Sequence, residues 1–207
     1  GIEDIRNIPS GEALSLRQRN QRRALIDGTP YGDREALKSW LADLSPDMCF
    51  LDFECIQSPQ TLFAGTSPWQ YVPVMYSLTG KNGDTVWFCL PPDSQDLAGF
   101  AVDLAENLKD CGDIAVYGDA MERRSLALLA NLVAGSDHEQ VLRTAIDKIV
   151  DLHTPFESGW LYFPEQKGKT SLKTIAAILG QAYDDHSVAD GRQASLRYFW
   201  LRHGYPD

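Results

Sequence analysis

The run MCFLDFECI, residues 48–56, constrains this chain more than any other stretch. It is apolar and aromatic apart from Asp52 and Glu54 and contains neither Gly nor Pro, so it reads as a strand inside a sheet. Side chains alternate along a strand. Two acids two residues apart therefore share one face, and Leu51, Phe53 and Cys55 go to the other layer. Burying two like charges side by side costs on the order of several kcal/mol unless a cation compensates. The expectation is a buried acidic pair that binds metal; the competing reading is a pair facing solvent on an edge strand.

The segments that follow fix the company this strand keeps. A loop rich in Ser, Pro and Gly (57–70) leads to YVPVMYSLT (71–79), the turn Lys81-Asn82-Gly83-Asp84 and TVWFCL (85–90). An Asn-Gly pair between two apolar runs is a hairpin signal. After Pro91, Pro92 and Asp93, the positions Leu97, Ala101, Leu104 and Leu108 repeat at helical spacing. DIAVYG (113–118) reads as a further strand, and MERRSLALLANLVA and HEQVLRTAIDKIV as helices. Strand, hairpin, helix, strand, helix is the order of an RNase H-like α/β fold: a mixed sheet of three antiparallel strands with a parallel extension, flanked by helices.

Before this region, residues 1–32 form a polar arm or short helix with the cluster RQRNQRR (17–23). Asp33 caps a helix with Leu37, Trp40, Leu41 and Leu44 on one face, ended by Ser45-Pro46. The expected division is an N-terminal arm and helix over 1–45 and an RNase H-like domain over 46–207. The last quarter holds a loop with Gly159, Pro164 and Gly168, a helix from Ser171 to Leu179, a polar loop and a closing helix, GRQASLRYFWLRH.

Composition narrows the function. No apolar run nears the roughly 20 residues that span a bilayer, and the first thirty residues are polar and Arg-rich. A cytoplasmic protein without membrane contact is expected. The start at Gly1, in mid-pattern, reads as a piece of a longer protein. Cys49, Cys55, Cys89 and Cys111 lack the paired spacing of a zinc site and read as small core residues. A net charge of -10 argues against a broad basic surface for duplex DNA, but not against a nuclease whose acidic residues hold cations. Further acids come from AVYGDAMERRSLALL (115–129), where a strand breaks at Gly118 and enters a helix with Asp119 and Glu122 in its first turn. They serve as metal ligands or, equally, as an N-cap and a first-turn acid favoured by the helix dipole.

FLDFE, VYGDAME, DLHTPF, SLKTIAAIL and ADGRQA, in this order between about Ile5 and Tyr198, resemble the C-terminal region of a bacterial protein family of unknown function. That family belongs to the RNase H-like clan, beside the DnaQ-type DEDD exonucleases. The resemblance puts the first motif, Asp-x-Glu, on Asp52 and Glu54. The second, Asn-x-x-Phe-Asp, falls on Gly118, Met121 and Glu122, with Gly for Asn and Glu for Asp. It makes Asp190 the fourth acid and His186, four residues earlier, the general base; Asp151, with His153 near it, is the rival.

What the resemblance implies is a metal-dependent 3′–5′ exonuclease acting on single-stranded ends of DNA or RNA. Asp52, Glu54, Glu122 and Asp190 would hold two Mg²⁺ or Mn²⁺ ions, one lowering the pKa of the attacking water and one stabilising the leaving oxygen. Arg123 and Lys173 would meet substrate phosphates, with Arg124, Lys167 and Lys169 as further cations. Trp69, Gln70 and Tyr71 either stack on a base or brace the sheet. The resemblance also implies an upstream segment similar to PD-(D/E)XK nucleases with cysteine ligands. The alternatives are a non-catalytic nucleic-acid-binding module attached to another nuclease domain, and an interaction domain whose acids are structural.

Overall fold

The computed structural model describes residues 4–9, 12–181 and 191–205. In chain order it forms α1 (Leu16–Asp27), β1 (Tyr31–Gly32), α2 (Arg34–Ala42), β2 (Cys49–Ile56), β3 (Val72–Thr79), β4 (Thr85–Cys89), α3 (Leu97–Leu108), β5 (Ile114–Val116), α4 (Ala120–Leu132) and α5 (Asp137–Asp147). There follow β6 (Ile149–Asp151), α6 (Thr154–Glu157), β7 (Leu161–Tyr162), α7 (Leu172–Ile178) and α8 (Gly191–Arg202). Two compact units result: Gly1–Leu44 with Leu152–Asp184, and Ser45–Asp151 with Asp185–Asp207.

The second unit holds a five-stranded sheet in the order β4-β3-β2-β5-β6. β2, β3 and β4 run antiparallel, and β5 and β6 join parallel. This is the RNase H-like arrangement, and β2 is its central strand rather than an edge. The hairpin closes where the Asn-Gly pair predicts it: Gly83 takes φ 81, and the Gly80 amide donates to the Asp84 carbonyl at 2.9 Å. One face of the sheet is sealed by helices. Leu51, Phe53, Val74, Tyr76 and Leu78 are at most 6% exposed, as are Phe100, Ala101 and Leu104 on α3. Phe100 meets the rings of Tyr76 and Phe88 edge-on, each at 5.5 Å between centroids.

Three local expectations change. The run HEQVLRTAIDKIV is not all helix: α5 stops at Asp147, and Ile149–Asp151 pairs with β5 as β6. Cys49 and Cys111 are buried, as expected, but they are joined as a disulfide with their Cα atoms 5.8 Å apart. The face of Leu37, Trp40 and Leu41 gives α2 no buried residue.

The first unit is built on α1, capped reciprocally by Ser15 and Gln18 and ended by Gly28 at φ 64. Its buried Asn20 donates to the Gly159 carbonyl at 3.0 Å. β1 and β7 form a two-stranded antiparallel ribbon. Asp33 caps α2 by accepting from the Ala36 amide at 3.1 Å. No helix among the described residues is long and apolar enough to cross a membrane.

Candidate functional site

The acids of β2 stand on the face of the sheet away from α3. Strand pairing aligns Asp52 with Ser77 of β3 and Trp87 of β4 in one row. Trp87 is 74% exposed and Asp52 is also exposed, so this row is open to water. The expectation of a buried acidic pair is therefore corrected: Glu54 is half-buried, and burial of two charges does not by itself demand a cation. The mass of protein around Asp52 still thins its hydration and raises its carboxyl above the usual range, against a lowering hydrogen bond from the Phe53 amide.

Past Asp52 the ladder is irregular. Glu54 faces Met75 but Cys55 faces Pro73, which leaves Val74 as the extra residue of a bulge. Pro73 has no N–H to give a ladder, which makes this a natural place for one. Cys55 turns to α4, where its Sγ lies 3.5 Å from Ser125 Oγ, and burial pushes its thiol up to about 11. Glu54 lies against the start of α8. A Cβ built on Gly191 would stand 2.3 and 2.4 Å from its two carboxylate oxygens, so any larger residue there would have to push the carboxylate aside.

Glu122, in the first turn of α4, is the acid most at odds with its surroundings. It is 6% exposed, and its Oε2 has no hydrogen-bond partner among the described residues. Burial is the first cause that pushes its carboxyl to about 7, and the charges of Asp52, Asp151 and Asp119 push the same way. The field of Asp52 reaching Glu122 puts the central strand and the α4 start in one electrostatic neighbourhood.

The turn that delivers Glu122 is held from β6. Asp151 accepts from the Gly118 amide at 2.8 Å and the Asp119 amide at 3.4 Å, while Gly118 takes φ 86. Asp119 makes no side-chain cap; it takes Arg123 Nε at 2.5 Å instead. Arg123 also donates to the Ile146 carbonyl at 2.7 Å and the Ile149 carbonyl at 3.5 Å, so its guanidinium ties α4 to the end of α5 and to β6. Those bonds engage each of its three guanidinium nitrogens from the protein side.

Asp190 and His186 lie outside the described residues. Lys173 is exposed on α7 of the other unit, and His153 of that unit sits 2.8 Å from Thr170 Oγ1. Arg124 is exposed on α4. Among the described residues, no group of three or more His, Cys, Asp or Glu side chains is close enough to hold one metal ion. The orphan oxygen of Glu122, and the raising of both Glu122 and Asp52 by burial, are nevertheless what a cation would relieve.

Sequence reasoning missed a groove of 710 Å³ beside Glu54, lined among others by Gln57, Tyr71, Met121, Arg192 and Phe199. Trp69 and Tyr71 do not brace the sheet: they are 65% and 41% exposed.

Residues 49–171 match the model of a family described as "Domain of unknown function (DUF2779)". No curated protein matches the chain. Among solved structures, the family B DNA polymerase of the hyperthermophilic archaeon Pyrobaculum calidifontis is similar over 75% of this chain, with a TM-score of 0.46 and 19% identity. The chain spans 22% of that polymerase chain. A chain in the structure of the yeast NOT1 MIF4G domain co-crystallized with CAF1 is similar over 87% of this chain and 84% of its own, with a TM-score of 0.43 and 12% identity.

Proposed function

The chain belongs to the DUF2779 family, and from the geometry of its acids we propose that it is a metal-dependent nuclease, a 3′–5′ exonuclease hydrolysing phosphodiester bonds of DNA or RNA. The observation that carries this reading is Glu122, a nearly sealed carboxylate with an unpartnered oxygen, set in the field of Asp52 at the mouth of a mixed sheet. An uncompensated carboxylate in such a place is costly. Its retention is explained when a ligand, not the protein, satisfies it.

In this reading Asp52, Glu54 and Glu122 hold Mg²⁺ or Mn²⁺, with Asp190 assigned from the sequence as the fourth ligand. Bound divalent cations supply charge against the phosphodiester and Lewis acidity. The protein's own part is positional. β2 fixes Asp52 and Glu54 on a central strand, Asp151 fixes the turn ahead of Glu122, and the groove beside Glu54 admits a strand end past Arg192. His186 remains the general base proposed on the motif alone.

A second reading, a nucleic-acid-binding module without catalysis, draws on one observation: the described acids do not gather three to one ion. Labelled single-stranded DNA and RNA, incubated with Mn²⁺, Mg²⁺ or EDTA, separate the two. Stepwise shortening that requires metal and disappears in the Asp52→Ala, Glu54→Ala double variant supports the exonuclease. Folded protein that binds the strands but leaves them whole under every metal moves the assignment to the binding module.

A further inference from the structure

Trp69 combines two features that are each unfavourable in isolation. Its backbone is left-handed, at φ 61, which a bulky side chain rarely adopts, and its ring is 65% exposed. The conformation is held from both sides. The Trp69 amide donates to the Ser58 carbonyl at 2.7 Å, and Gln57 Nε2 donates to the Trp69 carbonyl at 2.8 Å. The loop around it is pinned as well. Gln70 Oε1 accepts from the Ser67 amide at 2.8 Å, and Phe63, 2% exposed, lies 4.2 Å beneath the Arg202 guanidinium. The hydrogen bonds thus hold a large apolar ring out in water, where it gains nothing from the core.

The surroundings say what the ring is for. Gln57, which holds the Trp69 carbonyl, lines the groove beside Glu54, and so do Tyr71, Phe199 and the exposed Arg192. Flat rings next to one cation match a ligand that has a flat π-face joined to an anion, which is a nucleotide whose base is unpaired. A duplex keeps its bases stacked on each other and offers no such free face.

We propose that Trp69 and Tyr71 form a stacking platform for an unpaired base of single-stranded nucleic acid, at the rim of the groove that leads to Glu54. This rests on the nucleic-acid part of the proposed function, not on its catalytic part. In a chain of net charge -10, the platform makes ring stacking the main source of affinity, so binding falls only gently with salt.

The test is equilibrium binding of labelled single-stranded DNA and RNA 12-mers and of the matched duplex, in EDTA so that no cleavage intervenes. Wild type is compared with Trp69→Gly, Trp69→Phe and Trp87→Ala. Trp69→Gly removes the ring and relaxes the backbone, so its melting temperature should hold or rise while single-strand affinity falls roughly 5- to 100-fold. Trp69→Phe and Trp87→Ala should bind within about threefold of wild type, and duplex binding should not respond to any of them. A ring with a purely structural role would instead lower the melting temperature on removal and leave affinity alone.

Wild-type affinity for single strands in Trp69→Gly overturns the proposal, and so does a wild type that binds no single strand. The nuclease reading fails separately. If Trp69→Gly weakens binding but the wild type cuts nothing under any metal, the platform stands on a binding module. If the wild type cuts and Trp69→Gly binds and cuts as well, the platform alone falls.

Discussion

Leu51 and Phe53 are 4% and 6% exposed, while Asp52 between them is open to water; the two faces of β2 follow different rules. The covered face is tied together by paired polar groups, interlocked rings and a disulfide. Tyr76 donates to Asp103 and accepts from Asn107 at 3.0 Å, Phe100 interlocks with two rings, and the Cys49–Cys111 disulfide ties the start of β2 to the chain after α3. The open face carries Phe50, Asp52 and Trp87, and the acids near it include the one buried carboxylate oxygen without a partner among the described residues. One strand thus separates what holds the domain together from what the core leaves open.

The covered face should break hardest. Phe100→Ala leaves a hole against two rings and should cost about 3–5 kcal/mol in urea unfolding, with the acids untouched. Breaking the Cys49–Cys111 bond frees a tether of 62 residues in sequence, and unfolding with and without reductant should differ by about 2–4 kcal/mol.

On the other side the sign reverses. Glu122 titrates at about 7 in the folded chain against 4.5 for an ordinary glutamate. The folded state therefore keeps a proton that the unfolded state has lost. Its contribution to stability is complete below pH 4.5 and is lost as pH rises through 7, by roughly 3 kcal/mol at most. Glu122→Gln should remove that slope and stabilise the metal-free protein above pH 7 by about 1–3 kcal/mol, read from melting curves across pH. Asp52, raised in the same direction, adds a slope of the same sign. Added Mn²⁺ should flatten the wild-type slope by ionising Glu122; an unchanged slope would count against metal at this carboxylate. The smallest effect belongs to Trp87→Ala, which at 74% exposure should shift stability by no more than about 0.5 kcal/mol.

The elements legible in the sequence are those whose signal is local and long. β2, the hairpin and α3 each carry a full period or a turn dipeptide, and each forms where expected. β1, β6 and β7 have two or three residues, too few for any period. Ile149–Asp151 also continues the helical spacing of α5 until its pairing with β5 decides otherwise. At the site, the shared face of Asp52 and Glu54 follows from alternation alone. The burial of Glu122 does not, because it depends on how α4 enters beside β2. The grip of Asp151 on the Gly118 turn spans 33 residues and leaves no mark in spacing. The disulfide is equally silent, since separation in sequence does not say which thiols meet.

The bulge at Val74 gives the sheet two phases, one on each side of it. Between Phe50 and Glu54 the partners on β3 count down one for one, and beyond Cys55 they count from a different origin. Variation in chain length should therefore be tolerated very unevenly along this hairpin. The connection over 57–70 can gain or lose residues without touching the ladder, whereas deleting one residue of β3 erases the offset. A deletion elsewhere in β3 would turn the residues between it and the bulge to the opposite face, whereas loss of Val74 itself would leave a regular ladder. Reading-frame-preserving deletions should thus be survivable at the exposed loop residues Pro59, Gln60 and Thr61 and ruinous within residues 75–79.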